Sequence, residues 1–299
     1  MVYDCIIIGG GIAGLQAAIQ LGRYQHNVLV LDEGKGRSSI CHCYHNLLGW
    51  PDGVSGEKLR GLGREHAEKL GVQFCGQRVR KVEKRDAEFI ATTITSQHFT
   101  GKRILFATGI KDNIPPFPSL MPCLGKSVFV CPDCDGYEIL DKAALVIGSG
   151  KAGATMALTL TYWTNALTFI NHGKGTIDSE LKGKLFEKNI PIISSEINEI
   201  HTAADAAFAG VTLETGERID SSYAFLALGG NKPNSELAGQ LGVKLEKNKH
   251  ILVDPRTKMT NVKNVWAAGD IAVHSEQTAI AMGDGLQSAI WIHKSLLKD

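Results

Sequence analysis

Two glycine fingerprints, each set between an apolar strand and a helix and each followed by a second apolar strand, predict an α/β chain of two doubly wound nucleotide-binding domains. At 299 residues the chain is long enough for two such cores. Its 43% hydrophobic and 21% charged residues are the composition of a soluble globular protein. A net charge of +1 argues against nucleic acid as a partner. The apolar start of "MVYDCIIIGGGIAG" is too short to span a bilayer and carries no basic leader, so no membrane association is expected. Seven cysteines, odd in number and scattered, make a poor disulfide framework; they fit a reducing compartment, the cytoplasm, with a few active thiols.

In "YDCIIIGGGIAGLQAAIQLG" a buried strand runs into Gly9, Gly11 and Gly14 and then a helix. The first glycine allows the tight turn, the second lets a pyrophosphate approach the backbone, and the third lets helix and strand pack closely. The next strand, "NVLVLDEG", ends at Asp32, where a carboxylate accepts hydrogen bonds from a ribose. The pattern recurs in "KAALVIGSGKAGATMALTL" with Gly148, Gly150 and Gly153, and the strand "ALTFIN" follows. Here the ribose position holds Asn171, and the loop after it offers His172 and Lys174 but no arginine. A ribose hydroxyl calls for an acid and a 2′-phosphate for an arginine, so productive pyridine-nucleotide binding is not expected at this second turn.

"CPDCDG" places Cys131 and Cys134 two residues apart, with Asp135 directly after. Such a pair is a redox switch, half of a metal site, or two packing thiols. Cys41 and Cys43, with His42 or His45 nearby, would complete tetrahedral zinc ligation, but C-x-C is a poor half-site, so no metal is expected. Packing is the expectation for Cys41 and Cys43, and core burial for Cys5. Trp163 and Tyr162 follow the second fingerprint as packing aromatics, or as a platform for a flavin if the groove takes one.

The order of these motifs resembles the low-molecular-weight thioredoxin reductase family of pyridine-nucleotide disulfide oxidoreductases over the whole chain. "GGGIAG" is similar to its FAD motif, and "HNLLGWPDGVSGEKLRGLGREHAEKLG" to its asparagine-glycine segment, with Asn46 at the asparagine. "ILFATG" is similar to its hinge, with Thr108 and Gly109. "NVWAAGDI" resembles the second flavin motif, with Gly269 and with Asp270 placed to bond the ribityl chain. "EQTAIAMGDG" resembles the helix over the flavin ring, with Gln277, Thr278 and Ala279, although Glu276 stands where an arginine is common.

The resemblance implies an FAD domain of three-layer ββα type from residues 1–113 plus 248–299. A Rossmann-like domain at 117–245 would be inserted in it, with crossovers near "KDNIPPFPS" and "LEKNKHILVDP". It implies a homodimer that moves two electrons between FAD and a Cys131–Cys134 disulfide, and then a disulfide of thioredoxin or another substrate. Cys131 would meet the external substrate, Cys134 the flavin, and Asp135 would serve as acid and base. Two departures, "NHGKG" for a histidine-arginine-arginine stretch and "GRSSICHCYHN" for a threonine-rich one, resemble atypical members that do not rely on NADPH. A reduced ferredoxin, a second flavin in the groove, or reverse flow to oxygen would then close the cycle. The orthodox NADPH-dependent reductase is the alternative.

Overall fold

The computed structural model describes residues 1–298 and groups them by contact into two compact units. Unit 1 comprises Met1–Ser39, Gly56–Lys111 and Lys232–Asp299; unit 2 comprises Ile40–Ser55 and Asp112–Asn231.

In unit 1 five parallel strands lie in the order Val265–Ala267, Ile104–Phe106, Cys5–Ile8, Val28–Leu31 and Gln73–Cys75. Alternation along these strands makes a three-layer body, because successive side chains leave a strand on opposite faces. Ile6, Ile8, Leu29, Leu31, Ile104 and Phe106 bury against Val79, Val82, Phe89 and Ala91 of a second, four-stranded sheet. Cys5, Ile7, Val28, Val30, Leu105 and Trp266 face the other way, against Ala13, Ala17 and Leu21 of helix Ile12–Arg23 and Ala281 and Ala289 of helix Thr278–Leu296. Buried on both faces, these strands read as unbroken apolar runs.

Unit 2 repeats the scheme. Its parallel sheet runs Val128–Phe129, Ala224–Ala227, Ala144–Gly148, Leu167–Asn171 and Ile192–Ile193. Leu145, Ile147 and Leu226 pack on Val211 and Leu213 of a three-stranded antiparallel sheet, while Val146, Phe169 and Phe225 pack on Ala154, Ala157 and Leu160 of helix Gly150–Leu160.

The chain returns from unit 2 to unit 1 at 231/232, upstream of the "LEKNKHILVDP" stretch suggested by sequence. Helix Glu236–Gln240 follows, and Ala238 and Val243 are buried in the core with Val79 and Val82, which ties this segment to unit 1. Lys232–Pro233 pairs antiparallel with Ile110–Lys111 there. Ile40–Ser55 belongs with unit 2, whereas the sequence reading put it in the flavin domain. Among the described residues no helix is long and apolar enough to cross a membrane.

Phe106 is fully buried where the two sheets of unit 1 meet. Phe106→Ala should cost about 3–5 kcal/mol of stability through the cavity it leaves. Denaturant midpoints measure this, and a loss below about 1 kcal/mol would show that the sheets do not close on that ring.

Candidate active site

The redox pair sits where the strand Val128–Phe129 gives way to the single helical turn Pro132–Asp135. Cys131 is the extended N-cap of that turn, and Pro132 follows at its first position, where a fixed φ is already helical and no amide is wasted. The turn brings the Cα atoms of Cys131 and Cys134 to 5.3 Å, and the two are disulfide-bonded. Gly136 closes the turn over Trp163: a Cβ at Gly136 would lie 2.7 Å from the indole ring. Trp163 is therefore a packing floor for the redox turn, while Tyr162 is exposed.

Asp135 is mostly buried, and burial lifts its carboxyl above the ordinary carboxylate range, with His45 acting in the opposite direction. His45 Nδ1 lies 3.5 Å from Asp135 Oδ1 and 3.9 Å from Glu138 Oε1. The hydrogen bond to Asp135 raises the imidazole above its usual value. Cys41 is part of the same neighbourhood; burial first, and then the Asp135 charge, push its thiol up to about 12. Burial also raises Cys43, with Glu138 adding to the effect. Both residues are half-buried, and neither is part of a hydrophobic core cluster. Among the described residues no cluster of histidine, cysteine and acidic side chains is arranged to hold a metal ion.

In unit 1 the first glycine turn is an open cradle. Gly9 has φ +107°, and a Cβ there would lie 2.2 Å from the Ala107 carbonyl oxygen; one on Gly14 would lie 1.9 Å from the Gly9 oxygen. Gly11 caps helix Ile12–Arg23 with no side-chain acceptor, so the first amides of the helix face outward for an anion. Asp32 ends the next strand and pairs with Arg60 at 2.8 Å. Gly269, at φ +76°, donates its amide to Asp284 Oδ2 at 3.3 Å. Asp270 accepts from Arg37 at 3.0 Å; burial raises its carboxyl, and Arg37 counters that. Arg37 also pairs closely with Glu276, the residue at the position where the resemblance led us to expect arginine. Gln277 is the N-cap of helix Thr278–Leu296, whose first residues are Thr278 and Ala279, and no side chain caps it. Thr108 donates to the Asn234 carbonyl at 2.9 Å, beside Gly109 at φ +61°. An uncapped helix start over a cradle that excludes Cβ atoms, with carboxylates at Asp32 and Asp270, fits the pyrophosphate, ribose and ribityl groups of FAD. Asn46, the remaining candidate, lies in the Ile40–Ser55 segment of unit 2.

The second glycine turn is filled by the protein itself. Asn171 Oδ1 accepts from the Gly150 amide at 2.9 Å, and its Nδ2 donates to the Gly175 carbonyl at 2.9 Å. Loop and turn are so close that a Cβ on Gly175 would lie 2.8 Å from the Gly150 nitrogen. Lys174 pairs with Glu214 at 2.7 Å and Glu196 at 3.3 Å, and His172 Nδ1 accepts from the Ile197 amide. Positive φ falls at Gly9 in the first turn and at Gly150 in the second, so the turns differ in backbone as well. Gly153 keeps its packing role: a Cβ there would meet Phe169 at 2.3 Å. A groove of about 510 Å³ opens beside the redox turn, lined by Pro132, Lys151, Ala152, Thr155, Met156 and Thr159.

Arg37, Arg60, His45 as a partner of Asp135, Glu138 and Asp284 were not singled out for these contacts from sequence. Only Asp284 carried a signal, a carboxylate inside the apolar helix "TAIAMGDGLQSAIWI".

Residues 3–285 match the family described as pyridine nucleotide-disulphide oxidoreductase. The chain is 29% identical to a thioredoxin reductase of Aquifex aeolicus, covering 99% of this chain and 94% of that protein. It is 30% identical to the structure of an oxidoreductase from Agrobacterium tumefaciens, with a TM-score of 0.82 over 100% of this chain and 99% of the other. A thioredoxin reductase from Streptococcus pyogenes has the same fold, with a TM-score of 0.88 at 24% identity, over 100% and 99% of the two chains.

Iodoacetamide at pH 8 should leave Cys5 and Cys41 unmodified in the native protein, since burial raises both thiols. Peptide mass spectrometry reads this, and rapid labelling of Cys41 would contradict its placement.

Proposed function

The chain belongs to the pyridine nucleotide-disulphide oxidoreductase family as an FAD-dependent disulfide oxidoreductase of thioredoxin reductase type, and we propose that it moves two electrons between FAD and the Cys131–Cys134 disulfide, with NADPH a poor donor. We assign FAD to unit 1, held by Gly9, Gly11, Gly14 and Asp32 at one end and by Thr108, Gly109, Gly269, Asp270 and the Gln277–Ala279 helix start at the other. FAD, when bound, supplies the two-electron carrier.

The protein's own steps are thiol–disulfide exchange. In the dithiol form, the Cys131 thiolate attacks one sulfur of an external disulfide, the external S–S bond breaks, and a mixed disulfide forms. The leaving thiolate takes a proton from Asp135. The Asp135 carboxylate takes the Cys134 proton, the Cys134 thiolate attacks the Cys131 sulfur, and the second leaving thiolate takes that proton from Asp135 as the internal disulfide is restored. Enzyme dithiol and external disulfide become enzyme disulfide and two thiols, in balance. A carboxyl lifted by burial is suited to that proton because its acid form survives closer to neutral pH. The external disulfide belongs to thioredoxin, on the names of the relatives, or to a small molecule seated in the groove at Pro132. A cytoplasmic homodimer completes the reading.

One observation supports NADPH independence above the rest: Asn171 and its loop occupy the second glycine turn, and Lys174 and His172 are committed to internal partners. A pyrophosphate at this turn would compete with Asn171 for the Gly150 amide. Electrons then come from a reduced ferredoxin or a second flavin, or flow from a dithiol substrate to oxygen. The orthodox NADPH-dependent reductase, favoured by the whole-length likeness to thioredoxin reductases, is the second reading.

Anaerobic mixing with NADPH at micromolar concentration should leave the flavin oxidised; prompt bleaching would decide for the second reading. Cys134→Ser should keep flavin and lose turnover, and Asp135→Asn should slow disulfide reduction by about 10². Full activity in either variant would remove these residues from the cycle.

A further inference from the structure

Asp135 gives up one net proton in each cycle, which has to be replaced, and little of its side chain reaches water. The side chain behind it is His45. The segment carrying His45 is held in two ways: the His42 amide donates to the Leu124 carbonyl, and within the segment Tyr44 and Val54 exchange both backbone hydrogen bonds, at 2.8 and 3.2 Å, which closes it into a loop. Gly125 makes room, since a Cβ there would lie 3.0 Å from the amides of His42 and Cys43. The His45 ring then presents an edge to Phe129, a buried core residue, with ring centroids 6.4 Å apart. Nδ1 is left 3.5 Å from Asp135 and 3.9 Å from Glu138. The His45 side chain is 26% exposed and that of Asp135 15%, so the imidazole is the better placed of the two to exchange a proton with solvent.

We propose that His45 is the positioning and proton-storing partner of Asp135, returning to its carboxyl the proton that a leaving thiolate removes, with Glu138 as a second carboxylate near its Nδ1. The inference rests on the disulfide-exchange reading above. The proton balance is simple: His45 imidazolium gives a proton to Asp135 carboxylate, Asp135 carboxyl gives it to the departing thiolate, and neutral His45 regains one from water. The charged groups that act on the imidazole are Asp135 and Glu138; the thiols of Cys41 and Cys43 share the field of the same two acids, and Lys126 acts on Cys43. The two acids favour the cation, and the two thiols have raised values, so they stay neutral near pH 7.

The direction with pH follows. His45 is raised above its usual value, so the stored proton is present below that raised value and lost as pH rises through it. Without the imidazole only the Asp135 carboxyl can donate, and although burial lifts it, it starts from the lower carboxylate range.

The test is the pH profile of disulfide reduction by flavin-loaded wild type and His45→Gln, with substrate saturating. Glutamine keeps hydrogen-bonding capacity but cannot store a proton. The alkaline limb should move to lower pH by about one unit or more in His45→Gln, a rate loss of about tenfold above the limb, with little change in KM. Glu138→Gln should move it the same way by less. A His45→Gln limb superimposable on wild type would overturn the proposal while leaving the disulfide reading intact; a wild type with no disulfide reduction would overturn the reading itself. Should His45→Gln fail to fold, the His45 ring resonance of the wild type, followed by NMR against pH, replaces it. It should titrate above free histidine and fall in Asp135→Asn, and an unchanged midpoint would refute the pairing.

Discussion

A carboxyl taken out of water beside a disulfide must either keep its proton or find a cation, and Asp135 stands between those outcomes. Burial raises it and His45 restrains it. Either extreme would disable exchange: a fully desolvated acid holds its proton too tightly, and a fully exposed carboxylate has none to give. The contact depends in turn on Pro132 starting the redox turn, on Gly136 letting that turn lie on Trp163, and on the Ile40–Ser55 segment being fastened beside it. The setting of Asp135 therefore depends on packing by residues far away in sequence.

The two glycine fingerprints show how little a motif settles alone. Both follow a buried strand and open a helix, and both glycine sets relieve real backbone or ring contacts. The first leaves its helix amides open for an anion. At the second, the Asn171 amide satisfies the Gly150 N–H and a backbone carbonyl at once, which a carboxylate could not do because it has no hydrogen to donate to Gly175. The identity of one side chain at the end of a strand thus decides whether the turn's amide is met from within the chain.

Strand, turn and helix order were legible because both faces of each parallel strand are buried, and the apolar runs are unbroken. The glycine spacing and the C-x-x-C turn were legible because short-range backbone geometry demands them. Long-range pairings were not. Nothing local connects His45 to Asp135, Arg60 to Asp32, or Arg37 to Asp270, since each pair is joined by the topology alone. The glutamate at position 276, read as a missing arginine, turned out to face a guanidinium supplied from Arg37 instead. Ala238 and Val243 carry no local sign of which core receives them, and contact groups them with unit 1.

Whether the Cys131–Cys134 pair shares an electron circuit with FAD is read most directly by an anaerobic dithionite titration of the flavin-loaded protein followed by absorbance. A shared circuit takes up about four electrons per chain, two for the flavin and two for the disulfide, falling to about two in Cys134→Ser. An uptake of about two electrons in the wild type, with the flavin fully reduced and the disulfide still intact by thiol labelling, would contradict it.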